Sequence, residues 1–160
     1  MQKIALIIAT FFGAGLSPKA PGTAGSLATL PLAFVMAYFF GRNGILFAAA
    51  ISFFIGVWAT HQLIKNSTEK DPSKVVIDET AGQLMSFVLV APQLYHNFSA
   101  EVIFVYLCGF GLFRLFDICK AGPVKWADTK LKNAWGVMLD DVFAGIFAAL
   151  CLALIASRIM

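Results

Sequence analysis

Charge is what this sequence has least of. Asp, Glu, Lys and Arg supply 13% of its 160 residues, against about 25% in ordinary soluble domains. Apolar residues supply 59%, and the mean hydropathy is +0.81. That balance excludes an ordinary soluble globule and points to an integral membrane protein. The net charge of +3 is small and the basic residues are dispersed, so no nucleic-acid partner is expected. Cysteine is scarce: Cys108, Cys119 and Cys151 show neither a CxxC pair nor any other metal spacing, which excludes a thiolate metal centre and a disulfide framework and leaves free, buried thiols. Histidine is scarcer still, and His61, near the end of an apolar run, reads as an interfacial residue rather than a ligand. There is no internal repeat and no low-complexity segment.

What is present is a series of apolar runs. Ile4–Leu16 is too short to cross a hydrocarbon core of about 30 Å and reads as a buried or half-inserted segment; with Lys3 before it and Ala20 after it, it also resembles a leader peptide. Leu27–Phe40, Gly44–Ile64, Thr80–Tyr95, Glu101–Phe113 and Val142–Ala156 read as membrane helices, with a short turn at Arg42-Asn43. Gly82 leaves room for close approach of another helix, and Ala144, Gly145, Ala148 and Ala149 form a small-residue face suited to tight packing. The expected fold is all-α: one domain over residues 1–160, a compact membrane bundle of five to six helices with its polar loops gathered on one face.

Between the runs lie stretches that carry the polar chemistry. Ser17–Ser26, SPKAPGTAGS, holds two prolines and two glycines and reads as a loop. Its backbone N–H groups around Gly22 and Gly25, with Thr23, Ser26 and Lys19, could form an anion-binding nest, and Ser26 is placed to cap the following helix. Asp78 and Glu79 stand directly against an apolar helix. Two acids exceed what the helix dipole alone would favour. Arg114, Asp117 and Lys120 recur at intervals of three, so a continuing helix would set them on one face. Asp140 and Asp141 stand side by side where the last apolar helix is expected to begin.

With those five helices, the segments 17–26, 65–79 and 114–141 fall on one side. They contain Lys19, Lys65, Lys70, Lys74, Arg114, Lys120, Lys125, Lys130 and Lys132, and every acid except Glu101. An excess of basic residues marks the cytoplasmic side. Five carboxylates with no matching imidazole or thiol cluster favour a hard cation such as Mg²⁺, which commonly joins carboxylates to a substrate phosphate. Arg114 and Lys120 are suited to phosphate oxygens. The combination points to phosphoryl chemistry on a lipid head group.

The segments GLSPKAPGTAGSLATLPL, VVIDETAGQ, FRLFDICKAGPVKW and GVMLDDVFAG, in this order and over nearly the whole chain, resemble those of the phosphatidylglycerophosphatase A family. One departure is visible: Lys120 is followed by Ala121, Gly122 and Pro123, where the family commonly has a Lys-Pro pair and another proline. The resemblance implies a Mg²⁺-dependent phosphatase of the bacterial inner membrane, multi-pass, with its active face cytoplasmic. Such an enzyme hydrolyses phosphatidylglycerophosphate to phosphatidylglycerol and phosphate. It implies functional acids at Asp78, Glu79, Asp117, Asp140 and Asp141, functional cations at Arg114 and Lys120, and a working Pro21-Gly22-Thr23 segment. On this reading Asp78, Glu79, Asp140 and Asp141 hold the metal; Asp141, Asp140, Asp117 and Glu79 serve the reaction; and Arg114, Lys120, Lys19, Gly22, Thr23 and Ser26 bind the phosphate. The attacking group is water or a carboxylate. A small carrier would instead place acids at mid-bilayer among repeated halves, and a non-catalytic lipid-binding subunit would explain the lysines but not the acids. A CDP-alcohol transferase would need a spaced Asp-rich signature that is absent.

Overall fold

A computed structural model describes residues 1–65, 72–91, 99–120 and 122–159. Among these the chain is all-helical, with six α-helices: α1 (Gln2–Ala9), α2 (Pro21–Ile64), α3 (Ile77–Ser86), α4 (Ala100–Cys119), α5 (Pro123–Lys130) and α6 (Ala134–Ile159), and a 3₁₀ turn at Ala14–Leu16. α2, α4 and α6 are long and apolar enough to cross a membrane. Their outward faces carry Phe39, Phe47, Phe54, Leu107 and Leu154 in the open, an apolar exterior that suits lipid and would be a liability in water.

α2 is two arms rather than one rod. Gly41 has φ 58° and ψ −146°, outside the helical region and accessible at low cost to glycine alone. The chain turns back there. A Cβ on Gly44 would lie 2.7 Å from the Met36 carbonyl, although eight residues of straight helix span about 12 Å. Arg42 Nε donates to the Val88 carbonyl at 3.2 Å and ties the bend to the chain beyond α3. The arms therefore match the two membrane helices expected on either side of Arg42-Asn43.

α3 is the hub. It starts earlier and stops sooner than the expected Thr80–Tyr95: regular helix runs for 10 residues from Ile77 to Ser86, turns follow to residue 91, and the expected extension from residue 92 to Tyr95 lies outside the described residues. Ile77, Ala81 and Leu84 are buried among α2, α4 and α6. The close approach depends on glycine. A Cβ on Gly82 would strike the Asp141 carbonyl and the Phe113 ring, and one on Gly145 would strike the Gly82 carbonyl, so α3 and α6 meet backbone to backbone. Thr29 and Thr80 close the α2–α3 seam with a buried 3.1 Å hydrogen bond.

The N-terminal segment packs into this core. Ala5 and Ala9 are fully buried against Ala59, Val75, Ile77 and Met138, and the Val76 N–H donates to the Ala9 carbonyl at 2.8 Å. Four expectations are corrected. Ser17–Ser26 is not a loop throughout, because α2 starts at Pro21; proline is tolerated at a first helical position, where its missing N–H has no partner to lose. Ser26 does not cap the helix but lies inside it, donating to the Gly22 carbonyl at 2.9 Å. α6 starts at Ala134, capped by Asn133 Oδ1, so Asp140 and Asp141 lie well inside the helix rather than at its start. Cys119, expected to be buried, is exposed at the end of α4.

Candidate active site

The start of α2, the start of α3, the end of α4 and the early turns of α6 converge at one end of the bundle. They enclose a polar cleft of about 330 Å³, lined by Ala20, Pro21, Gly22, Ser73, Val75, Asp78, Glu79, Arg114, Asp117, Ile118, Lys120, Asp140 and Asp141. Helical phase explains the allocation. Adjacent residues on a helix point about 100° apart, so Asp140 and Asp141 serve different neighbours. Asp141 faces α3, where it joins Asp78 and Glu79: one carboxylate oxygen from each lies within 4.8 Å of the others. Asp140 faces the end of α4, where its Oδ2 accepts from Lys120 Nζ at 2.6 Å.

The cations are held by carboxylates. Arg114 Nη1 lies 2.6 Å from Asp117 Oδ2, one turn on along α4, and 3.9 Å from Glu79 Oε1. Arg114 Nε is buried and makes no hydrogen bond, and Glu79 Oε2 is likewise buried without a donor. Lys120 Nζ donates to both Asp140 Oδ2 and Asp128 Oδ1, the latter at 2.8 Å, which leaves one of its three N–H groups for something else. Lys120 reaches this position through a left-handed backbone, φ 41°, a conformation that costs a non-glycine residue energy and here ends α4. Burial is the first reason that the Lys120 ammonium is perturbed, and it opposes the charge; the two aspartates outweigh it and hold the pKa above the ordinary lysine range.

Three buried carboxylates this close repel one another and call for a cation. The Glu79 carboxyl is pushed from about 4.5 to about 8, first by burial; Asp141 and Asp117 push it further, while the hydrogen bond with Asp78 and the Arg114 charge pull it back. An all-oxygen donor set with an orphaned buried oxygen fits a hard divalent cation. An unused buried Arg N–H and a third lysine N–H beside it fit an anion.

A family profile described as phosphatidylglycerophosphatase A matches residues 7–156. The chain belongs to the phosphatidylglycerophosphatase A family. Among individual relatives, the phosphatidylglycerophosphatase A of Escherichia coli is 32% identical over 143 residues, covering 89% of this chain and 78% of that protein. The Haemophilus influenzae phosphatidylglycerophosphatase A is 34% identical over 155 residues, covering 94% and 90%. A Bacteroides thetaiotaomicron protein named provisionally as a phosphatidylinositol-3-phosphatase is 32% identical over 152 residues, covering 92% and 91%. No solved structure shows a significant match.

In this phosphatidylglycerophosphatase A family member the cleft gathers Gly22, Asp78, Glu79, Arg114, Asp117, Lys120, Asp140 and Asp141. Lys19, Thr23 and Ser26 are not among its lining residues. Lys19 is exposed, and its carbonyl accepts from Ser17 Oγ at 2.8 Å. The Pro21-Gly22-Thr23 segment contributes chiefly an absent side chain: a Cβ on Gly22 would strike Glu79 Oε1 and lie 3.1 Å from Arg114 Nη1. Asp140, grouped with the metal ligands from its position next to Asp141, stands outside the triad and anchors Lys120 instead. Two residues escaped the reading of the sequence. Nothing in its polar stretch singles out Asp128, and only the position of α5 beside Lys120 brings the two together. Ser73, on the cleft rim, carried no signal at all.

Proposed function

We propose that this chain is a Mg²⁺-dependent phosphatase that hydrolyses phosphatidylglycerophosphate to phosphatidylglycerol and phosphate, at the cytoplasmic face of the bacterial inner membrane. The observation that carries this reading is the pairing of the Asp78, Glu79 and Asp141 triad with two carboxylate-tethered cations, at the charged end of an apolar bundle. The alternative of a carrier fits less well, because these acids sit at one end of the bundle rather than at mid-depth between repeated halves.

The residues divide by role. Asp78, Glu79 and Asp141 would hold Mg²⁺, which when bound draws charge from phosphoryl oxygens and makes water a better nucleophile. Arg114, oriented by Asp117, and Lys120, oriented by Asp140 and Asp128, bind the phosphate and hold its P–O bond to the terminal glycerol beside the acids. Hydrolysis breaks that bond; water supplies the oxygen that joins phosphorus and the proton that returns to the alcohol. Preorganised charge of this kind supplies most of the catalysis in phosphoryl transfer.

The first experiment is phosphate release by purified protein in detergent with Mg²⁺ or with EDTA. Phosphatidylglycerophosphate and phosphatidylinositol-3-phosphate are compared as substrates. Mg²⁺-dependent release from phosphatidylglycerophosphate is expected. Release only from the inositol lipid would overturn the substrate assignment, and no release from either would overturn the reaction class.

The raised Glu79 pKa makes a second prediction. A cation must displace that proton, so Mg²⁺ affinity falls as pH drops below about 8, by about tenfold per unit for one linked proton. The sign for stability is opposite. Because the folded protein holds this proton more tightly than the unfolded chain, cation-free protein loses stability as pH rises from about 4.5 through about 8. Thermal unfolding across that range, with and without Mg²⁺, should show the ion reversing the trend; parallel curves would speak against the triad as the ion site.

A further inference from the structure

The polar cleft uses only the neighbouring ends of α2 and α4. Farther along, the same two helices leave an apolar groove of about 400 Å³, between Leu30, Pro31 and Phe34 of α2 and Val102, Ile103, Tyr106 and Leu107 of α4. Its volume lies within the roughly 300–1,000 Å³ usual for sites that take small organic ligands. Its surface is carbon throughout. One wall is braced: the Tyr106 ring packs on Phe87 at 4.9 Å and on Phe34 at 6.3 Å, so the groove is preformed.

Groove and cleft are two ends of one track. The link runs along α4, where Ile103, Leu107, Phe110 and Arg114 recur every three or four residues and share a face; on α2 the groove residues Leu30 and Phe34 share a face with Leu27 and with Thr23, the latter next in sequence to the cleft residue Gly22. The helices run antiparallel, with Pro21 and Gly22 sharing the cleft with Arg114, and Leu30 and Phe34 sharing the groove with Ile103 and Leu107. From Arg114 to Ile103 the helix rises about 16 Å. The hydrocarbon of one leaflet, half of a core about 30 Å thick, is about 15 Å deep. Ile103 and Leu107 are about half exposed, so the groove opens sideways to what is lipid in a bilayer.

We infer that this groove takes one acyl chain of the lipid whose phosphate sits in the cleft, and that it is a substrate-binding subsite. The inference rests on the phosphatase reading and extends it to the other end of the substrate. A phosphate fixed at Arg114 leaves its lipid with a tail to place. The groove that α2 and α4 form beyond that point is apolar, preformed, one leaflet deep and open to the side from which a lipid arrives.

The test narrows the groove with Leu107→Trp and, separately, Leu30→Trp. Leu154→Trp, on the outward face of α6 at 71% exposure, serves as control. Each protein is assayed on phosphatidylglycerophosphates of increasing acyl length and on the deacylated head group. In the wild type KM should fall as the chains lengthen. In the groove variants that dependence should flatten, with KM for the long-chain lipid rising about tenfold, the worth of two buried methylenes. Turnover of the deacylated head group should stay at the wild-type level, which also shows that the variants are folded. An unchanged chain-length dependence in both groove variants would overturn the inference. So would an equal loss on the head group, or the same effect from Leu154→Trp. Wild-type protein inert on every substrate would instead overturn the phosphatase reading beneath it.

Discussion

Asp141→Asn is expected to cut phosphate release by about 10³-fold or more while leaving the protein folded. Loss of groups that merely orient metal ligands typically costs about 10–100-fold, and loss of one preorganised charge-stabilising group about 10²–10³-fold; Asp141 belongs to the triad itself. The amide keeps the shape of the carboxylate and removes its charge. In cation-free protein that relieves repulsion among three crowded acids, so the variant should unfold at the same temperature as the wild type or higher. Its stabilisation by Mg²⁺ should disappear. Activity lost while stability is kept distinguishes a site residue from a packing residue, and the distinction matters here because Asp141 is almost wholly buried and its backbone lies against Gly82. Near wild-type release with Mg²⁺ by a folded Asp141→Asn would remove the triad from the mechanism. Asp140→Asn provides the contrast: it should weaken phosphate binding through Lys120 and leave the response to Mg²⁺ in place.

The sequence made the bundle legible because lipid imposes a simple rule. Apolar runs of sufficient length become helices, and charge is pushed to their ends. Hence both arms of α2, α4 and α6 were readable, as was the gathering of Asp78, Glu79, Arg114, Asp117, Lys120, Asp140 and Asp141 at one end. What was not legible depended on phase and on contact across the fold. Pro21, Gly22 and Gly25 look like loop punctuation, yet a proline at a first helical position and glycines against neighbours are equally good grammar for a tightly packed helix start. No local signal separates the two. Asp140 and Asp141 read as one pair, although about 100° of helix sends one to a lysine and the other to the acids of α3. Asp128 gained a role only because α5 brings it within 2.8 Å of Lys120. The end of α3 was overrun because apolar sequence continues past Ser86, and only the turns from Phe87 show where regular helix stops.

Gly22→Ala separates the two readings of the Pro-Gly-Thr segment. If backbone N–H groups of a loop cradled the phosphate, the hydroxyls of Thr23 and Ser26 would share in the work. The geometry assigns the segment a different part. A Cβ on Gly22 meets Glu79 Oε1 and crowds Arg114 Nη1, so the glycine is the gap that lets an acid of the triad and the Arg114 guanidinium approach each other. The atoms displaced are the far ends of flexible side chains, so the protein tolerates the methyl group; alanine is also the better helix former by about 1 kcal/mol. Activity does not tolerate it. A displacement of about 1 Å in such a constellation costs about 10²-fold, and that is the expected loss for Gly22→Ala, with thermal stability unchanged or raised. Thr23→Val and Ser26→Ala should lose no more than a few-fold, because neither residue lines the cleft and the Ser26 hydroxyl is already spent on the Gly22 carbonyl. Equal losses in all three variants would restore the phosphate-cradle reading. Full activity in Gly22→Ala would show that Glu79 and Arg114 do not need this proximity, and the division of labour between triad and cations would have to be redrawn.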